Sequence, residues 1–133
     1  MPPLRREAEH MASPIDPSRL RHHIEDYGPL ATVITVSADG HPHVGTSMVE
    51  IEGGIVRIQV GPGTAGHLEE NAAVCLTWSP PDGELYQLIV DGVADDVRPL
   101  GDVFQVEVTV VGGIRHRVAG APTTAPTCLR LDQ

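Results

Sequence analysis

The run Gly61-Pro62-Gly63-Thr64-Ala65-Gly66 fits G-x-G-x-x-G. In that spacing glycines let a phosphate approach the main chain, and a following helix turns free N–H groups toward it. An apolar run over residues 55–60 precedes the motif, so it stands where a strand gives way to a helix. A dinucleotide-binding unit also requires a parallel sheet and a full crossover helix. Here hairpin signals come before the motif, the helix after it has barely two turns, and the nearest downstream acids, Asp82 and Glu84, lie in or beside a proline turn. The context therefore argues against the dinucleotide fold. Two readings remain: an anion site at the amides of Ala65, Gly66 and His67, or a plain glycine turn in which Thr64 caps a short helix.

Other chemistries find less support. Seven histidines invite a metal, but the nearest clusters, His22-His23 and His41-Pro42-His43, do not bring three ligands to one point, so surface histidines and no metal site are expected. A haem ligand at His67 or His116 is a weaker idea; Arg115 and Arg117 flank His116 and disfavour its cationic form. No serine sits in a G-x-S-x-G elbow, and Cys75 and Cys128 read as two buried thiols. The carboxylate pairs Glu69-Glu70 and Asp95-Asp96 are adjacent in sequence, so they diverge. No catalytic residue is identified.

A chain of 133 residues, 41% hydrophobic and 20% charged, suits one domain. The formal charge of −9 repels a phosphate backbone, so nucleic acid is not an expected partner. All nine basic residues are arginine. The absence of lysine removes Schiff-base chemistry and any ammonium clamp. No apolar run approaches the ~20 residues that span a bilayer, and residues 1–10 lack the apolar core of a signal peptide. The expectation is a cytoplasmic protein with no membrane partner.

Residues 1–14 carry no periodic apolar pattern and read as a flexible N-terminal tail; residues 15–133 form the domain. Asp16 can cap a helix that Pro17 opens, Ile15 can staple onto Leu20, and Gly28-Pro29 ends it. Strands are expected over 31–36, 43–51, 55–60, 74–79, 85–97 and 103–111, with 114–118 pairing back across Gly112-Gly113 and 128–131 as a short edge. A second helix spans 64–70. Antiparallel hairpins with two short helices predict a mainly β protein, a six- to seven-stranded barrel filled by Val, Ile and Leu.

The opening helix, the hairpin from Ala31-Thr32-Val33 through Asp39-Gly40-His41-Pro42-His43-Val44, and then Leu68-Glu69-Glu70-Asn71 follow one another in a telling order. So do Val74-Cys75-Leu76-Thr77-Trp78 and Tyr86-Gln87-Leu88-Ile89-Val90-Asp91-Gly92. Over residues 17–97 this order resembles the pyridoxamine 5′-phosphate oxidase-like family of FMN-binding split barrels. The resemblance implies a homodimeric flavoprotein oxidoreductase with FMN or a deazaflavin in a cleft at the dimer interface. Carried across, it implies cofactor contacts at Gln59, Val60, Gly61, Gly63, Thr64 and His67, with Gln87 as a polar contact to the flavin ring. Where the family usually places Ser, Arg or Lys, this chain has Pro62, Gly63 and Thr64. The clamp is then left to backbone donors, the Thr64 hydroxyl, His67 and an arginine such as Arg57. A second reading follows: a non-enzymatic split barrel that has lost the phosphate clamp and binds another small molecule or a protein partner.

Overall fold

The computed structural model describes residues 16–52 and 54–131. The expected tail over 1–14 and the Ile15 staple lie outside the described residues. Helix α1 (Pro17–Tyr27) starts as its sequence dictates: the Asp16 carboxylate accepts from the Ser18 amide at 2.8 Å, and proline takes the first turn. It ends at Gly28, whose φ of 97° suits glycine alone and whose N–H donates to Ile24 O at 2.8 Å.

Eight strands follow: β1 (Leu30–Val36), β2 (Pro42–Met48), β3 (Glu50–Glu52), β4 (Ile55–Val60), β5 (Ala73–Trp78), β6 (Tyr86–Leu100), β7 (Val103–Arg117) and β8 (Cys128–Arg130), with helix α2 (Pro62–Glu70) between β4 and β5. Every pairing is antiparallel, in the order β2-β1-β5-β6-β7-β4-β3, and β8 adds to β7. β2 and β3 are neighbours in the chain yet stand at opposite ends of that order. The sheet therefore curls until its two ends approach, which is the split barrel the resemblance implied.

Two strand boundaries differ from expectation. The run over 43–51 is two strands, broken at Val49, which is buried and whose N–H donates to Pro29 O at 2.7 Å instead of joining a ladder. The break lets the chain leave the β1 edge and reach the β4 edge. The expected reversal at Gly112-Gly113 is absent: β7 runs through, with Gly112 opposite Asp91 and Gly113 opposite Val90. The long β6 ladder satisfies backbone groups that a turn there would strand. β6 and β7 reverse at Gly101, whose φ is 65°, between the two long strands that the sequence predicts.

Inward faces alternate along each strand and fill the interior with Val33, Ile58, Leu76, Trp78, Leu88 and Val106, while Leu20 and Ile24 of α1 and Ala65 and Leu68 of α2 complete the core. Trp78 Nε1 donates to Gly28 O at 2.9 Å, and Tyr27 OH donates to Tyr86 O at 2.7 Å, so α1 is fixed by hydrogen bonds as well as packing. His23 corrects the surface expectation: it is 6% exposed, and its Nε2 lies 2.9 Å from Leu131 O. Burial pushes its pKa down, and the Leu131 carbonyl opposes that shift. At β6 a register shift falls between Asp91 and Gly92, and any Cβ on Gly92 would press on Val108 Cγ1 and stand 2.9 Å from Thr109 O.

Candidate functional site

β4 pairs with β3 only as far as Arg57, opposite Glu50, so its stretch from Ile58 to Val60 turns an unpaired edge toward β2. Among the described residues no ladder joins β2 to β4. A single side chain bridges them: Ser47 Oγ accepts from Gln59 N at 2.8 Å and donates to Met48 O at 2.7 Å. Beside this bridge the split opens into a cleft of about 760 Å³, within the range of small-molecule and cofactor sites. Thr46 and Met48 of β2, Arg57, Gln59 and Val60 of β4, and Glu50 of β3 form its walls. Leu100, Val103 and Gln105 of the β6–β7 hairpin close one side, and Gly61 and Thr64 close the end under α2.

Of the residues that sequence reasoning singled out, Gln59, Val60, Gly61 and Thr64 line this cleft together. Gly63 belongs to the same first turn of α2 without lining the cleft, and His67 lies one turn further on. The His67 ring stacks on His43 of β2 with centroids 3.9 Å apart at 30°, and its Nδ1 is buried without a hydrogen-bond partner. Gln87 sits in β6 opposite His116 of β7, apart from the cleft. Ser47, Glu50, Met48 and Gln105 were missed. The small polar run Gly45-Thr46-Ser47, unusual in a strand expected to carry apolar residues, was the available signal.

The start of α2 also differs from expectation. Gly61, not Thr64, is the cap, Pro62 takes the first position, and no side chain caps the helix. Ala65 N donates to Gly61 O at 3.0 Å and is therefore used. The helical amides without an intrahelical acceptor are those of Gly63 and Thr64, immediately before Ala65, Gly66 and His67. They offer an anion two backbone donors and the positive end of a short helix.

The charge at the other end is balanced differently. Arg57 Nη1 lies 2.8 Å from a Glu52 carboxylate oxygen and its Nε 3.6 Å from one of Glu107. These partners, Glu52 first, raise the guanidinium pKa. Cys75, half-buried on β5, has its thiol pushed up to about 12 by burial, with Asp91 adding to the shift. It is a poor nucleophile. Among the described residues no three His, Cys, Asp or Glu side chains gather as metal ligands, and no helix is long and apolar enough to cross a membrane.

The cleft fits the ring and polyol of a flavin: it has the volume, amide groups at Gln59 and Gln105, and apolar walls at Leu100 and Val103. It fits a phosphate through backbone amides and the Thr64 hydroxyl alone.

Comparison with known proteins agrees with the architecture. A protein of Clostridium acetobutylicum related to general stress protein 26, of the pyridoxinephosphate oxidase family, superposes with a TM-score of 0.64 at 14% identity, covering 89% of this chain and 98% of its own. A heme binding protein from Mycobacterium smegmatis gives 0.62 at 13% identity, covering 90% of this chain and 60% of its own. An F420 reductase gives 0.56 at 20% identity, covering 64% and 89%. The molecule thus shares the split-barrel fold of these structures. No protein-family model matches the chain. It is 33% identical over an alignment of 138 positions, gaps included, that covers 89% of this chain and 92% of theirs, to the uncharacterized proteins Mb0449c of Mycobacterium bovis and MT0457 of Mycobacterium tuberculosis. It belongs to the family of those two mycobacterial proteins.

Proposed function

We propose that this protein binds a flavin-type cofactor, FMN or a deazaflavin, in the cleft between β2 and β4 and works as an oxidoreductase. The observation that carries the reading is the cleft itself, 760 Å³ at the seam of the barrel, with Gln59, Val60, Gly61 and Thr64 on one wall. Bound flavin would supply the electron or hydride transfer. The chain would bind the ring against Gln59 and Gln105, hold the tail at the Gly63 and Thr64 amides, and keep water out with Leu100 and Val103.

A homodimer is part of the proposal. Leu30, Val44 and Met48 are 58%, 71% and 59% exposed. Leu30 lies directly opposite Met48, and Val44 opposite Ile34, so these side chains share one face of the β1–β2 ladder. An apolar patch of this kind calls for a cover. Met48 also lines the cleft, so a second copy seated there would border the cofactor. Two unpaired cysteines suit a reducing, cytoplasmic compartment.

Purified protein titrated with FMN and with a deazaflavin is the test: a visible flavin band on the desalted protein and a rise in Tm support the reading, and neither signal with either ligand removes it. The second reading, a non-enzymatic split barrel binding another small molecule or a protein, is favoured by the carboxylate-bound state of Arg57. Flavin binding at micromolar Kd or tighter counts against it.

A further inference from the structure

We infer that Glu52 and Glu107 hold Arg57 as a compensated cation, so that the cleft selects its flavin by the uncharged ring and chain and gains little from a phosphate. The inference rests on the flavin reading and specifies its ligand class.

Arg57 is the cationic side chain among those lining the cleft. Glu50 faces it directly across the β3–β4 ladder, and Glu107 faces it across the β4–β7 ladder. Directly opposed residues of antiparallel strands share a face. Glu50, Arg57 and Glu107 therefore form a row over three strands, and Glu52 adds the 2.8 Å contact from the end of β3. Two carboxylates, Glu52 and Glu107, contact the guanidinium, and Glu50 stands opposite it on the ladder. An anion entering here finds Nη1 already held by Glu52 and meets the neighbouring carboxylates, which repel it. The chain holds no lysine to restore the balance.

At the α2 end the amides of Gly63 and Thr64 give an anion partial charges rather than a full one. Uncharged donors and acceptors meet no such penalty: Gln59 and Gln105 present amide groups along the same wall. A heteroaromatic ring with a polyol chain is the ligand that this distribution suits. Glu52 and Glu107 are then specificity-determining residues that act through Arg57.

The test compares riboflavin with FMN by fluorescence titration of the wild-type protein, Glu52→Gln and the double variant Glu52→Gln/Glu107→Gln. The wild type is expected to bind the two flavins within about threefold of one another. The double variant, with Arg57 released, is expected to favour FMN by about tenfold, a preference that fades as salt is raised. A wild-type preference for FMN of about a hundredfold, or an FMN-to-riboflavin ratio unchanged in the double variant, overturns the inference. Glu52 is 80% exposed, so the single variant answers if the double one does not fold. If neither flavin binds any form, the flavin reading falls, and inorganic phosphate decides the rest. A Tm rise with phosphate in the Glu52→Gln protein and none in the wild type upholds the compensation of Arg57; equal responses overturn it.

Discussion

The hydroxyl of Ser47 receives the amide of Gln59 at 2.8 Å and so bolts β2 to β4 at the seam that no ladder closes. Ser47 is buried, so its removal leaves a main-chain donor in a half-buried place without a partner. Ser47→Ala is expected to cost about 1–3 kcal/mol, read as a lower midpoint in urea with an unchanged slope. It is also expected to weaken any ligand of the cleft, because Ser47 lies on its wall. An unchanged midpoint would show that water replaces the bolt.

Gly92 holds its place by lack of space. A methyl group there meets Val108 and the Thr109 carbonyl, and a backbone carbonyl cannot swing aside as a long side chain can. Gly92→Ala is expected to destabilise by about 1–3 kcal/mol through overpacking. Gly63→Ala, with open space around the added carbon, serves as the tolerated control in the same thermal melt.

His23 predicts an acid limb of stability. Its folded pKa lies below the ordinary value of 6.5, so the unfolded chain binds the proton more readily. Stability from this residue is complete above about pH 6.5 and falls as the pH drops from there toward the folded pKa. Urea midpoints measured from pH 7.5 to pH 5 should decline in the wild type. In His23→Gln, which keeps a donor for Leu131 O but does not titrate, the decline over that window should be shallower.

Cys75 should resist alkylation. With its thiol pushed up to about 12, the thiolate at pH 8 is scarcer than in a free cysteine by about three orders of magnitude. Iodoacetamide labelling followed by peptide mass spectrometry should find Cys75 unmodified in the folded protein and modified in urea. Rapid labelling of the folded form would refute the burial argument.

Much of the barrel was legible because local signals and long-range needs agreed. Asp16, Pro17 and Gly28 mark α1 by capping chemistry that depends on a few adjacent residues, and the structure keeps each mark. Val49 and Gly112-Gly113 were misread for one reason. Whether a strand breaks or runs on depends on which distant ladder takes up its hydrogen bonds: Pro29 O for Val49, and β6 for Gly112 and Gly113. The cleft was half visible. Gln59, Val60, Gly61 and Thr64 stand close together in the sequence and were named through the family resemblance, whereas Ser47, Glu50 and Gln105 reach the same wall only because β2, β3 and β7 are brought beside β4. His23 looked like a surface residue because its partner, Leu131, stands more than a hundred positions away.

The placement of β2 and β3 at opposite ends of the strand order also bears on how the molecule assembles. Successive segments cannot add side by side: Thr32 must find Thr77, and Val56 must find Val108, before the seam between β2 and β4 has two sides. The β6–β7 hairpin, joined by a short reversal at Gly101, needs no such search. Contacts distant in sequence slow folding, so the hairpin is expected to form first and the cleft at the seam late.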